Sequence, residues 1–552
     1  MTNKEIANAF SLLAQLMELH GEEEFKIRSY NNAYRILRNE EQELGKMNLA
    51  ELKGIKGVGD AIANKILELQ KNGKMKILTE YLDKTPSGIV DLLDIKGMGV
   101  KKVWLLWKEL EIESPGELLY ACNENRLKDL KGFGEKSQQN VREQLEYFFQ
   151  SLAKFRWASV EEDADNLLED LQDVLGEENV MLTGQFRRLM PVVDMLEYVV
   201  ETNEMDTLIE SGIINGLEEK NKDVWEGKSE KGGIKIRLYR ANKGLSGVRL
   251  LESTGSSVLA KNILKNETPS TVLGLSEAEL FEKAGIPFIP AEIRDIPNID
   301  KKIIPDLIKS SDIKGVLHAH STYSDGGASL KEMAEYCREQ GYTYLGITDH
   351  SQSAFYANGL KPDRVIQQWN EIDSLNAKFI DFKIFKGIES DIKFEGDLDY
   401  DNEILKGFDF VIASIHSNLK MTEGKATQRL IKAIENPYTT MLGHPTGRLL
   451  LSRAGYPVDH KKVIDACAKN RVIIEINANP LRLDLDYTWL EYALEKEVKI
   501  AINPDAHSKQ GVHDIRYGVQ VARKGLLTKE NCVNCLTLEE FEKFISAKKS
   551  NH

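Results

Sequence analysis

Histidine and carboxylate residues gather in one part of this chain, in a pattern suited to metal chemistry. Eight of the ten histidines fall between residues 318 and 513. Within that span, apolar runs of strand-like length end in ligand-type side chains: His318 and His320, Asp349 and His350, Glu389, His416, His444, and Asp505 with His507. Asp325 follows the first run, in the turn SDGG. One such histidine alone is usually a hydrogen-bonded structural residue; six run ends do not coincide by accident. Imidazole and carboxylate without sulfur suit borderline or hard divalent ions such as Zn, Mn or Fe. The donors outnumber what one ion takes, so two or three ions sharing a bridging carboxylate are expected. Clustered ions lower the pKa of a bound water and clamp the attacking and leaving oxygens of a phosphoester. The expected chemistry is metal-assisted hydrolysis at phosphorus.

These residues need a scaffold that brings distant run ends together. From residue 315 onward the runs GVLHAH, YLGITDH, FKIFKGIE, FVIASIH, TTMLGH, RVIIEIN and KIAINPDAH alternate with helical patterns. Such alternation predicts parallel βα units, and a barrel more than an open sheet. In a βα barrel the strand C-termini converge on one face, where these folds place active sites. His460 and His513 lie off the run ends and are expected at the surface.

Residues 1–150 read as helix after helix, with apolar positions recurring at three and four residues, as in IANAFSLLAQLMEL. A phrase repeats three times there: GIKGVGDAIANKI, DIKGMGVKKVWLL and DLKGFGEKSQQNV. Each follows one helical segment and opens another, a helix-hairpin-helix arrangement. The glycine pairs Gly57/Gly59, Gly97/Gly99 and Gly132/Gly134 would let the backbone approach a phosphate closely. The following helix offers unpaired N–H groups and the positive end of its dipole. Lys56, Lys96 and Lys131 precede the pairs and add screening charge. The expected partner is therefore DNA, bound without sequence preference. A net charge of −14 for the whole chain argues against nucleic acid at first. Residues 1–150, however, carry 22 Lys/Arg against 24 Asp/Glu and are nearly neutral. Trp104 and Trp107, at helical spacing, are expected in the core.

A length of 552 residues suggests about three or four domains. The 41% apolar and 29% charged composition excludes a disordered or fibrous chain. No apolar stretch approaches the ~18 residues that span a bilayer, so no membrane partner is expected. The opening residues do not read as a signal peptide, and five cysteines form no disulfide framework, so the cytoplasm is the expected location. Domain limits are expected at 1–150, at 151–245 (mixed α+β), at 246–290 (a small appended unit), at 291–314 (a proline-punctuated linker) and at 315–552.

The motifs HAHSTYSDG, ITDHS, GIESDI, SIHS, GHPTGR and PDAHS resemble those of the polymerase-and-histidinol-phosphatase (PHP) domain, from about 315 to 535. The resemblance implies a distorted (β/α)7 barrel holding three metal ions. It also implies a ligand set of His318, His320, Asp325, His350, Glu389, His416, His444, Asp505 and His507. Glu389 would be the bridging carboxylate, and the nucleophile a metal-activated water held by Glu389 and its neighbours. The whole chain is similar to bacterial family X DNA polymerases with a C-terminal PHP domain. Residues 1–150 then correspond to their amino-terminal and fingers regions, 151–245 to the nucleotidyltransferase-like palm and 246–290 to the thumb. The palm departs from that family's pattern. TGQFRRLMPVVDMLEYVV keeps Gly184, Arg187 and Arg188, but Gln185 replaces a serine. Counted from Arg188, the paired aspartate positions are Met195 and Glu197; a register shifted by one gives Asp194 and Leu196. The third position is Arg237. Two-metal nucleotidyl transfer needs a carboxylate pair, and neither register supplies one, although STGS at 253–256 survives.

The expectation is a DNA-binding, metal-dependent phosphoesterase, a 3′–5′ exonuclease of DNA repair on a degenerate polymerase scaffold. It would act, as a monomer, on gapped, recessed or single-stranded ends. The competing readings are an active gap-filling polymerase, a phosphatase for small phosphomonoesters such as histidinol phosphate, and a non-catalytic DNA-end-binding protein.

Overall fold

In the computed structural model, every residue is described except 2, 39, 41, 96, 129, 131, 132, 151–153, 204, 230–232 and 550–552. The chain divides into two compact units: residues 1–122 with 128–145, and residues 123–127 with 146–552.

The first unit is helical: α1 (Asn3–Leu19), α2 (Glu24–Arg38), α3 (Leu49–Gly54), α4 (Asp60–Asn72), α5 (Lys76–Lys84), α6 (Ser87–Asp94), α7 (Val100–Glu109) and α8 (Pro115–Asn123), with α9 (Glu135–Gln150) continuing past its boundary. In α1 the residues Ile6, Phe10, Leu13 and Met17 are all buried, the i, i+3, i+4 stripe of a core-facing helix. Asn48 starts α3 through a capping box with Glu51, and Gly73 ends α4 in the left-handed region. Trp107 is half-buried. Trp104 is 42% exposed, because it falls outside the Val103/Leu106 stripe that α7 buries.

The second unit holds a small two-stranded pairing, β1 (Phe155–Arg156) with β3 (Val192–Val193), and a five-stranded sheet. The latter comprises β2 (Val180–Leu182), β4 (Leu196–Glu201), β5 (Ile214–Asn221), β6 (Val224–Ser229) and β7 (Lys235–Ala241), in the order β2-β4-β7-β6-β5. Strands β4 and β7 run parallel, with Glu197 opposite Arg237. Short helices follow, among them Ser246–Thr254 and Glu277–Lys283. The stretch expected as a linker packs against its surroundings: Ile293 and Arg294 are fully buried, and Arg294 pairs with Glu277.

Seven parallel strands complete the unit: β8 (Gly315–Val316), β9 (Tyr344–Ile347), β10 (Lys383–Asp391), β11 (Phe410–Ser414), β12 (Met441–Leu442), β13 (Ile473–Asn477) and β14 (Ile500–Asn503). They are hydrogen-bonded in sequential order. A parallel bridge between Ala319 and Ala506 joins the first strand's end to the last, nearly closing a (β/α)7 barrel. Strands buried on both faces carry continuous apolar runs. Polar N-caps (Ser329, Asp401, Thr422 and Asp459) start helices between the strands by accepting backbone N–H bonds. Among the described residues, no helix is long and apolar enough to cross a membrane.

Candidate metal centre

Parallel strands end at a common face, and the ligand-type residues lie there. His318 and His320 follow β8, with Asp325 in the next turn; His350 follows β9; Glu389 lies near the end of β10. His416 follows β11, His444 follows β12, and Asp505 and His507 follow β14. Their side chains are buried, from 0% exposed at His318 and His320 to 5% at His507. Three sets have ligand atoms within 4.8 Å of one another: His320, Asp325, His350 and His507; His318, His320 and Asp505; His350, Glu389 and His416. Among the described residues these are the only such groups. His444 stands outside them, yet its Nε2 lies 2.9 Å from Glu389 Oε1. Glu389 is also 2.9 Å from His350 and 3.1 Å from His416, which makes it the centre of the cluster.

The donors fit bound cations. His318 Nε2, His320 Nδ1, both ring nitrogens of His350, His507 Nε2, Asp325 Oδ2 and Glu389 Oε2 are buried and make no hydrogen bond. Burying polar atoms without hydrogen bonds costs about 1–3 kcal/mol for each, which divalent ions would offset. Asp505 adopts a left-handed φ of 53°, conformational strain of the kind concentrated at functional sites.

Electrostatics here reflect burial against mutual charge. Burial lowers the His320 pKa to about 3, assisted by His507 and His350. Burial would also lower His416 and His507, but Glu389 and Asp391 around the first, and Asp325 and Glu124 around the second, override it and push both up to about 10. Burial alone would raise Glu389; the surrounding imidazoles, His416 first, hold it well below the usual carboxylate range.

Several residues that sequence reasoning did not select hold the ligands in place. Asp391 accepts from His416 Nδ1, and Glu475 from His318 Nδ1 at 2.8 Å, turning each Nε2 toward the centre. Asn477 donates to Asp505 at 3.0 Å. Asp349, at a strand end like the ligands, instead accepts from Ser321, Ser324 and Gln368. Asp391 was legible as the residue two beyond Glu389 on the same strand face. Glu475 was legible as a charge inside the apolar run IIEIN. Asp391→Asn and Glu475→Gln should each weaken metal affinity by about 10–100-fold. Titration calorimetry with Mn²⁺ on a metal-stripped, folded protein checks this.

The palm-like sheet holds a different site. A cavity of about 340 Å³ is lined by Gln185, Arg188, Met195, Glu197, Arg237 and Tyr239, among others. Glu197 accepts from the Gln185 backbone N–H and from the Tyr239 hydroxyl, both at 2.9 Å, and stands 3.9 Å from Arg237. Arg237 binds Glu226 through two nitrogens. Met195 is half-buried, and Asp194 exchanges hydrogen bonds with the Gln185 side chain. Arg187 pairs with Glu277 and Arg188 with Asp295.

In the helical unit, Gly57 and Gly97 take φ of +96° and +88°, which glycine adopts without steric cost. Gly59 and Gly99 cap α4 and α7 with ordinary extended φ. The two turns share one hydrogen bond, Val58 to Ile55 and Met98 to Ile95, each 3.0 Å. Gly134 directly precedes α9, and Lys56 is exposed. Lys96, Lys131 and Gly132 lie outside the described residues. His513 is exposed and bonds Tyr336, whereas His460 is partly buried, stacked on Trp489 at 4.4 Å between ring centroids.

Comparison with known proteins agrees with this division. A helix-hairpin-helix domain family matches residues 1–75, a SAM-like helix-hairpin-helix tandem matches 89–146, and the PHP domain family matches 317–479. The "DNA polymerase/3'-5' exonuclease PolX" of Bacillus subtilis (strain 168) is 33% identical over 570 residues, covering 99% of this chain and 99% of its own. A "probable phosphatase" of Thermoanaerobacter sp. (strain X514) is 29% identical over 40% of this chain and 91% of its own. One of Acetivibrio thermocellus is 26% identical over 42% and 91%. PHP domains are metal-dependent, and the buried clusters of the barrel could hold the ions. With a relative 33% identical and matched end to end, and with helix-hairpin-helix and PHP families matching its two ends, the chain belongs to the bacterial PolX family.

Proposed function

We propose that this protein is a DNA-binding, metal-dependent 3′–5′ exonuclease of DNA repair, working in the cytoplasm as a monomer, on a polymerase scaffold that no longer inserts nucleotides. The observation that carries the reading is the convergence, at one barrel face, of buried imidazole and carboxylate atoms that lack hydrogen bonds. His318, His320, Asp325, His350, Glu389, His416, His444, Asp505 and His507 would hold two or three Mn, Zn or Fe ions, with Glu389 bridging. When bound, such ions provide Lewis acidity and a nucleophile at neutral pH for phosphodiester cleavage. The chain's own part is to aim the lone pairs: Asp391 and Glu475 keep a proton on Nδ1 of His416 and His318, leaving Nε2 to coordinate. The domain limits 1–150, 151–245, 246–290, 291–314 and 315–552 go with this reading. The test is a gel with labelled single-stranded, gapped and 3′-recessed DNA and Mn²⁺, with and without nucleotides. Shortening from the 3′ end supports the proposal; intact DNA overturns it. A second reading, a phosphatase for small phosphomonoesters, draws on the relatives named as probable phosphatases that align with about 40% of this chain. Rapid hydrolysis of p-nitrophenyl phosphate together with intact DNA would favour it.

DNA contact is assigned to Lys56, Gly57, Gly59, Gly97, Gly99 and Gly134, with Lys96, Lys131 and Gly132. Gly59 and Gly99 give a clean test, because an added Cβ meets nothing within 4 Å at either and neither has a positive φ. Gly59→Val with Gly99→Val should therefore leave the fold intact while blocking close phosphate approach. Affinity for unrelated duplexes should fall by roughly tenfold, about 1.4 kcal/mol, since phosphate contacts read no bases. Fluorescence anisotropy checks this, and unchanged binding by the folded double variant would make the turns purely structural.

A further inference from the structure

Residues 123–127 lie between α8 and α9 in sequence, yet they belong to the second compact unit. Their side chains meet the barrel's ligand face. Glu124 is 2% exposed and ion-paired with Arg126, whose side chain is 17% exposed. The Arg126 guanidinium lies over the Tyr356 ring, 4.5 Å from its centroid, and that ring is 6.3 Å from the ring of His350. Asn125 approaches the turn that carries Asp325: its Nδ2 would stand 3.6 Å from a Cβ on Gly327, whose N–H donates to the His507 carbonyl. The Tyr356 hydroxyl is buried and makes no hydrogen bond.

We propose that this segment forms a wall of the metal centre, in which Arg126 and the Tyr356 hydroxyl grip the phosphodiester backbone of a DNA 3′ end. The proposal rests on the nuclease reading above and adds the residues that place the strand. A partly buried arginine beside a site suited to cations is placed to meet an anion held between them. Guanidinium and phosphate are matched for paired N–H···O bonds. Burial alone would lower the Arg126 pKa, but Glu124, then Tyr356, Asp325 and Asp505, outweigh it and keep the group charged. The pair with Glu124 fixes the guanidinium's direction. Arg126 is one aromatic ring removed from His350, so it suits the phosphate flanking the reacting one. The Tyr356 ring itself neighbours His350 and its hydroxyl is buried without a hydrogen bond, so that hydroxyl suits the reacting phosphate.

Two substrates separate these roles in the full-length, Mn²⁺-loaded protein: a 3′-recessed oligonucleotide, and the p-nitrophenyl ester of thymidine 5′-phosphate, which has no flanking phosphate. Arg126→Ala should raise KM for the oligonucleotide by about tenfold or more, with kcat changed far less, and raise it clearly less for the small ester. Arg126→Lys should recover part of the loss. Tyr356→Phe, which keeps the ring and its packing, should lower kcat/KM on both substrates by about tenfold. Metal content and circular dichroism should match the parent throughout. An unchanged oligonucleotide KM in Arg126→Ala, or faster cleavage of both substrates as for removal of a plug, overturns the proposal. Should Arg126→Ala not fold, Arg126→Lys and Tyr356→Phe decide it: parent kinetics in both would refute the subsite. A parent that cleaves neither substrate refutes the nuclease reading itself, a result distinct from failure of the subsite alone.

Discussion

His320→Ala should abolish Mn²⁺-dependent degradation of DNA, with a rate loss of about three orders of magnitude or more, because bound ions supply several kcal/mol of transition-state stabilisation. His320 belongs to two of the three ligand groups, so its loss disrupts more than one ion position. Asp505→Ala should act similarly, since Asp505 lies 3.0 Å from His320 and shares a group with His318. DNA affinity measured by anisotropy should stay near that of the parent, because the glycine turns belong to the helical unit. A His320→Ala/Asp505→Ala protein, stripped of metal and still degrading DNA at the parental rate, would sink the assignment.

Nucleotide insertion should be absent or very weak, at least several orders of magnitude below that of a polymerase with its carboxylates in place. On the proposed alignment, Met195, Glu197 and Arg237 would stand where the family carries its three carboxylates. The one acidic group among them is engaged by Gln185, Tyr239 and Arg237. The assay belongs in the His320→Ala background, where resection cannot mask extension. Robust template-directed extension of a gapped primer by that variant would overturn the assignment of these positions.

The palm illustrates where sequence reasoning stops. Counting from Arg188 allows two registers, one giving Met195 and Glu197, the other Asp194 and Leu196. In the folded sheet Glu197 stands opposite Arg237 on neighbouring parallel strands, and its side chain lines the cavity. Asp194 lies before β4 begins and is tied to Gln185. Side-chain period two means that a shift of one residue reverses every face. Strand pairing, which a linear sequence does not contain, fixes which of these side chains share the cavity face. The exposure of Trp104 has a similar origin, since helical spacing alone does not say which flank of a helix its neighbours cover.

By itself the sequence determined the barrel's strands, the ligand types at their ends and the glycine turns that open helices. Each of these is local: apolar run length, residue type at a run's end, or a backbone angle that favours glycine. Only the tertiary structure decided which atoms meet. It set Glu389 at the middle of the cluster, turned Asp349 away into a hydrogen-bonded supporting position, and recruited Asp391 and Glu475 to aim imidazole rings. It also grouped residues 123–127 with the second unit, where the Arg126 guanidinium lies over the Tyr356 ring. Those outcomes depend on distances between residues far apart in the chain, and such distances exist only once the strands have assembled and burial has made every unpaired polar atom costly.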